Sequence, residues 1–239
     1  MIAMVTDFHS HILPGIDDGS RTVADSIKML QMLADQGVSR VVATPHFYPE
    51  KDSPKAFIAK RDFSEQLLRE EMENHTGLPE LVVGAEVYYY QGFGDWDGLQ
   101  DLTIGGNRCI LIEMPFKQWT TPMYQELVDI YERRDLWPVI AHLDRYISPL
   151  FSNAIAERLY DMPVYVQANA SSFLRLSTRR MMLRLLQKKQ INLLGSDCHD
   201  LKIRKPNMSQ AVNTIRRHLG EDAISHIQFC ESILLRDTQ

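Results

Sequence analysis

The sequence predicts an α/β chain, a closed barrel of about seven parallel strands with crossover helices, with an open doubly wound sheet as second choice. Short apolar runs alternate with longer amphipathic stretches seven times along the chain, which is the pattern of parallel strands joined by helices. The 239 residues, 44% of them hydrophobic, are enough for one core of barrel size. No linker, low-complexity tract or internal repeat divides them, so a single domain over 1–239 is expected.

Strands are expected at 5–8, 38–43, 81–87, 109–112, 137–141, 164–167 and 191–194. The clearest helix covers 22–36, where Val23, Ile27, Leu30 and Leu33 recur at helical spacing and Gly37 supplies a stop. Further helices are expected near 54–75, 120–134, 149–161, 174–189 and 206–219. Segment 91–106 breaks the rhythm with its Gly, Asp and Trp96. It reads first as a surface excursion and second as a loop over a site at the strand ends.

A net charge of -5 and a pI of about 5.9 give no sign of a nucleic-acid partner. The longest apolar stretches are far too short to span a bilayer, and the N-terminus lacks the features of a signal peptide. A cytoplasmic protein, not inserted in a membrane, is therefore expected. Three cysteines, none in a C-x-x-C pair, argue against a disulfide framework or a zinc knuckle.

The strongest local signal is Asp7-Phe-His9-Ser-His11 at the end of the first strand. Residues two apart on a strand share a face, so all three would point one way and two imidazoles could meet on one ion. His46 follows the second strand, while Glu86, Glu113 and His142 end the third, fourth and fifth. Asp197 and His199 follow the seventh. Strand carboxyl ends of a parallel barrel lie on one rim, where active sites sit. Acids and imidazoles buried there need a shared positive partner. The mixed imidazole and carboxylate set, without thiolate, suits Mn, Fe, Zn or Co and exceeds what one ion takes. Two or three bridged ions are expected, an arrangement that generates hydroxide near neutral pH. In Leu13-Pro-Gly-Ile-Asp17-Asp18-Gly-Ser20, Asp18 reads equally well as a helix cap or as a ligand.

Together DFHSHILPGIDDGS, ATPHF, GAEVY, LIEMP, AHLDRY and GSDCH resemble the PHP (polymerase and histidinol phosphatase) superfamily, in order from residue 5 to about 205. They look most like its bacterial manganese-dependent protein-tyrosine phosphatases of capsular and extracellular polysaccharide operons. The resemblance implies a distorted (β/α)7 TIM-like barrel of PHP type with two or three divalent ions, manganese first and iron, zinc, cobalt or magnesium as alternatives. His9, His11, Glu86 and Asp197 would hold one ion, Glu86, Glu113 and His142 the second, and Asp18, His46 and His199 the third. Asp7 would orient a histidine. Arg145 and Arg204 would grip the phosphate, with Lys202 a weaker candidate. Together with His142 and Asp197 they form the expected catalytic set for attack of a metal-bridging hydroxide on phosphotyrosine. The implied partner is a phosphotyrosine protein, such as the tail of a bacterial tyrosine kinase.

Three rivals stand beside this reading. Cys198-HDLKI-Arg204 fits the Cys-x5-Arg of cysteine phosphatases, as does Cys230-ESILL-Arg236, but neither loop has the glycines of a phosphate cradle. A small phosphomonoester such as histidinol phosphate is the alternative substrate. A non-catalytic module should have lost ligands, and all nine are retained. Tyr88, Tyr89, Tyr90, Phe47 and Tyr48 are candidate walls for an aromatic ring. The cations of 174–190 read first as a solvated helix face and second as a dock for an acidic tail.

Overall fold

Among the described residues every strand pairing is parallel. A computed structural model describes residues 5–147 and 154–236. β1 (Val5–Ser10) pairs with β2 (Val38–Ala43), which pairs with β4 (Glu80–Val83). A second run joins β3 (His46–Phe47), β5 (Glu86–Tyr88), β6 (Cys109–Glu113), β7 (Trp137–Ile140), β8 (Tyr165–Asn169) and β9 (Leu193–Gly195) in that order. The sheet curls, and the segment after β9 returns to β1 through a Ser10–Cys198 bridge and the bonds from Asp197 N to His9 O and from His11 N to Cys198 O.

The expected 81–87 strand is broken in two, and a matching break separates β2 from β3. Pro45 lacks a ladder donor. The bonds Gly84 N to Ala43 O and Glu86 N to Pro45 O carry the pairing across the bend. Gly84 is needed there, because a Cβ would stand 2.8 Å from Ile104 Cγ1.

The helices that pack on the sheet follow the expected positions. They are α1 (Val23–Asp35), α2 (Pro54–Met72), α3 (Thr121–Arg134), α4 (Ala154–Tyr160), α5 (Leu176–Gln187) and α6 (Met208–Leu219). Of the helix expected over 149–161, residues 149–153 lie outside the described residues. Thr22 and Ser53 cap α1 and α2 through their side chains. Segment 91–106 forms three short 3-10 turns with Phe93, Leu99, Leu102 and Ile104 buried. Its Trp96 stacks on Phe47 at 5.6 Å, so it is packed structure and not a bare excursion.

The last helix, α7 (Glu221–Leu234), was not expected. Gly220, at φ 79°, separates it from α6. Its Cys230 and Leu234 complete a second apolar cluster with Phe8, Val42, Leu111, Val139 and Leu193 from the sheet. Leu111 and Glu113 share a face of β6, so this cluster lies beneath the acidic and imidazole groups at the strand ends.

Glu231 of α7 is buried and accepts a bond from Thr6 N at 3.3 Å, while its other oxygen has no hydrogen-bond partner among the described residues. Burial lifts its pKa to about 7 from an ordinary 4.5, despite the Thr6 bonds and Arg40, and Asp7 lifts it further. The folded chain thus keeps a proton that the unfolded chain releases, so stability is lost as pH rises from 4.5 to about 7. Glu231→Gln removes that loss. Thermal melts at pH 5 and pH 8 should show the variant gaining on wild type by a few kcal/mol across the interval, at about 1.4 kcal/mol per pKa unit. A constant difference between the two proteins would show that Glu231 stays ionised.

Candidate metal centre

At the carboxyl rim one carboxylate stands among four imidazoles. Glu86 Oε2 lies 3.2 Å from His9 Nε2, 3.3 Å from His11 Nε2 and 2.9 Å from His46 Nδ1. Its Oε1 lies 2.8 Å from His142 Nε2. They approach from four strand ends: His9 from β1 and His11 just past it, His46 from β3, Glu86 from β5, and His142 from the turn after β7. Glu113, the last residue of β6, adds an oxygen 3.4 Å from His142 Nε2 and another 3.9 Å from His46 Nδ1. Asp197, two residues past β9, lies 3.8 Å from His9 and 3.6 Å from His11. Asp18 and His199 complete the group, with Asp18 Oδ1 3.6 Å from His46 Nε2 and 3.5 Å from His199 Nε2. All nine expected residues therefore converge.

The donor set fits divalent cations. The two nitrogens His9 Nε2 and His11 Nε2 are 3.1 Å apart, and with Glu86 Oε2 they form a triangle with edges of 3.1–3.3 Å. Ligands about 2.1 Å from one ion stand roughly 3.0–3.4 Å from one another. Glu86 Oε2 and His199 Nε2 are buried without a well-formed hydrogen bond. Donors fall within 4.8 Å of one another in three sets: His11, Asp18, His46 and His199; His9, His11 and Glu86; and His46, Glu86 and Glu113. The partition is looser than the resemblance implies, since His11 and His46 each fall in two sets.

Electrostatics agree with that chemistry. Burial pushes the His11 imidazole down, but the carboxylates of Asp17 and Glu86 outweigh it and hold its pKa at about 10. His142 is opposed by burial in the same way and is raised to about 9 by Glu113 and Glu86. Glu86 and Asp197 resist burial through the surrounding imidazoles, and both stay below the ordinary carboxylate range. Burial and the neighbouring His11 hold His199 neutral, down at about 2. Protons thus gather on His11 and His142, where cations would otherwise balance the acids.

The backbone is bent to present these groups. His142 and Asp197 both adopt left-handed φ, 33° and 52°, a cost that the surroundings must over-determine. Here they do so, because His142 N donates to Gln167 Oε1 at 2.6 Å and Asp197 N to His9 O at 2.8 Å. Gln167 Oε1 also faces His9 Nδ1 at 3.2 Å. Gly195 makes room for that pair, since a Cβ on it would lie 2.6 Å from His9 Cβ and 2.7 Å from Gln167 Nε2.

Sequence reasoning missed several supporting residues. β8 offers no metal ligand but supplies Gln167 and, two residues on, Asn169, whose Nδ2 donates to Asp197 Oδ2 at 2.9 Å. Asp17, passed over for Asp18, holds His11 Nδ1 at 2.7 Å and accepts from His46 N at 3.0 Å. Asp7 takes a different role from the one expected. Between the Asp7–Val41 and Ser10–Ala43 pairs, Phe8 and His9 of β1 oppose Val42 alone, a bulge that breaks the alternation between Asp7 and the residues after it. It accepts from Ser196 N and Oγ and from His9 N, and so ties β1 to the segment after β9 without meeting an imidazole ring.

Arg145 and Arg204 flank Asp197. Arg204 Nη2 donates to Asp197 Oδ1 at 2.7 Å and Arg145 Nη2 to Asp197 Oδ2. Their side chains are 36% and 32% exposed, so the guanidinium groups border the open mouth of the centre. Phe116, 61% exposed, lies nearly parallel to His142 at 6.2 Å. Tyr48 sits 5.1 Å from His46 and meets Tyr88 at 5.6 Å. The other candidate wall residues turn away: Tyr89 bonds Glu126, Tyr90 packs on Phe93 and Phe47 is buried. Lys202 is exposed, with only its backbone N–H bonded to Asp200 at 2.6 Å among the described contacts. Cys198 is fully buried, and burial with Asp7 nearby lifts its thiol well above the ordinary range. A thiolate nucleophile needs the opposite environment.

The chain resembles curated proteins over nearly its whole length. It is 26% identical to tyrosine-protein phosphatase CpsB of Streptococcus agalactiae serotype III, over 95% of this chain and 97% of that protein. It is 28% identical to tyrosine-protein phosphatase YwqE of Bacillus subtilis, over 97% of this chain and 91% of that protein. Among solved structures it superposes with a TM-score of 0.84 and 25% identity on the crystal structures of YwqE from Bacillus subtilis and CpsB from Streptococcus pneumoniae, described as unique metal-dependent tyrosine phosphatases. That match covers 98% of this chain and 96% of the other. The phosphotriesterase homology protein of Escherichia coli shares the fold at a TM-score of 0.57 and 14% identity. Residues 5–234 match the family described as capsular polysaccharide synthesis, CpsB/CapC, and the chain belongs to that family.

Proposed function

We propose that this protein is a metal-dependent protein-tyrosine phosphatase whose centre is built by His9, His11, Asp18, His46, Glu86, Glu113, His142, Asp197 and His199. The observation that carries it is the Glu86 carboxylate enclosed by four imidazoles, with two guanidinium groups at the mouth. CpsB and YwqE are tyrosine phosphatases, which supports the substrate class. We read the curled sheet as a distorted (β/α)7 barrel in which β2 with β3 and β4 with β5 are single kinked strands.

Bound divalent ions, manganese foremost, supply Lewis acidity and make hydroxide available near neutral pH. The chain's own groups do the rest. Arg145 and Arg204 receive the phosphate oxygens and stabilise the charge that develops on them. Asp197 sets both guanidinium groups and, with Gln167 and Asp17, fixes the imidazoles. Phe116 on one side and Tyr48 on the other border the mouth with aromatic surface suited to the phenyl ring. A phenol leaves readily, its pKa being about 10, so no strong general acid is required. A kinase tail in the cytoplasm is the substrate that this family's role in polysaccharide synthesis supports.

Hydrolysis of a phosphotyrosine peptide should fall to background after EDTA and return with Mn²⁺, and histidinol phosphate should be the poorer substrate. Activity that survives EDTA and is blocked by iodoacetamide would overturn the metal assignment. Faster turnover of histidinol phosphate would overturn the substrate.

A further inference from the structure

The centre continues on one side into a cleft of about 880 Å³ lined by none of the nine proposed ligands. Phe116, Lys117 and Trp119 enter it from the connection between β6 and α3, Arg145 and Tyr146 from the turn after β7, and Arg158 from α4. The volume lies within the range of sites that hold small molecules or a few side chains.

Its charge is one-sided. Lys117, Arg145 and Arg158 line it, and among the described residues no Asp or Glu does, in a chain whose net charge is -5. The Arg158 guanidinium is held 3.8 Å over the Tyr124 ring, which fixes its head at the cleft wall. Arg145 belongs both to the cleft and to the mouth of the centre, where it bonds Asp197. Phe116 likewise lines the cleft while stacking on His142 and Tyr146. A group bound in the cleft therefore adjoins the phosphate on Arg145.

Two other hollows lack this combination. The one beside Arg40, Arg61 and Arg69 is balanced by Asp62, Glu65, Glu80 and Asp101. The depression along the basic face of α5, with Arg179, Arg180 and Arg184, shares no residue with the centre.

We infer that this cleft is the subsite for residues flanking the phosphotyrosine and that Lys117 and Arg158 select carboxylate side chains there. The inference rests on the phosphatase reading. Its test compares wild type with K117Q/R158Q and K117E/R158E on three substrates. These are p-nitrophenyl phosphate, a phosphotyrosine peptide flanked by Asp and Glu, and the same peptide with Asn and Gln in their place.

Wild type should favour the acidic peptide in kcat/KM by about tenfold at low salt, with the preference shrinking as salt screens the cleft. The ratio should fall to about one in the Gln variant and invert in the Glu variant, as removal and then reversal of exposed charges demand. Turnover of p-nitrophenyl phosphate should stay within about twofold of wild type, because it carries nothing into the cleft. Each ratio is measured on one enzyme sample and does not depend on how much of it is folded. Equal rates on the two peptides in wild type, or one ratio shared by all three proteins, would overturn the subsite and leave the phosphatase standing. No hydrolysis of any substrate by Mn²⁺-loaded wild type would overturn both.

Discussion

Replacing Glu86 by glutamine should lower kcat by at least about a thousandfold, the upper range for losing one charge-stabilising group in an active site. The expectation follows from the company Glu86 keeps. Its two oxygens meet His9, His11, His46 and His142 within 3.3 Å, and its side chain is wholly inaccessible to solvent. Glutamine has nearly the same shape but supplies one oxygen and an NH₂ that repels cations. Metal content should fall with activity, measured by elemental analysis of the purified variant. The fold should survive, because Glu86 stands at the rim with the apolar cluster of Phe8, Leu111 and Val139 beneath it. A variant that keeps full metal content and turns over within tenfold of wild type would sink the assignment of Glu86 as the shared ligand.

Arg145→Ala carries the second-largest expected effect, a loss of about a hundredfold to a thousandfold in kcat/KM with metal content kept. Arg145 touches Asp197 and approaches Glu113 at 4.0 Å, but it is no metal ligand. Its loss leaves Asp197 still bonded to Arg204 and Asn169, so the centre should persist. Arg145→Lys should recover little, because an ammonium cannot present the planar fork that meets two phosphate oxygens. Inhibition by inorganic phosphate should weaken in step. Unchanged phosphate inhibition in the Ala variant would mean that Arg145 only steadies Asp197.

Much of the centre was legible because strands end where their side chains are needed. His9, His11, Glu86, Glu113 and His142 follow apolar runs, and that repeated position distinguished them from stray polar residues. The amides were not legible, because nothing about Gln167 or Asn169 marks an amide as a support for imidazole or carboxylate. Yet their spacing of two at a strand end is the same signal that exposed His9 and His11. Alternation also failed at Asp7, where a bulge adds a residue that no period-two reading foresees. Likewise α7 has Ile224, Ile227, Cys230 and Leu234 at helical spacing and all buried, but its N-cap, Gly220, offers no capping side chain to mark its start. A lone exposed aromatic such as Phe116 gains meaning only with His142 stacked beneath it.

The seam where the segment after β9 returns to β1 has a consequence for how the protein comes into being. Asp7 and Ser196, bonded across it, are 189 positions apart. His9 and His11 stand on one side, with Asp197 and His199 on the other. Closing so long a separation is slow, and contacts of this kind form late. During synthesis a ribosome-bound chain would hold His9 through His142 of the centre with its last wall, Asp197 and His199, missing. Catalytic competence would then arrive as a single late event, when the final strand docks, and not by degrees as the chain lengthens.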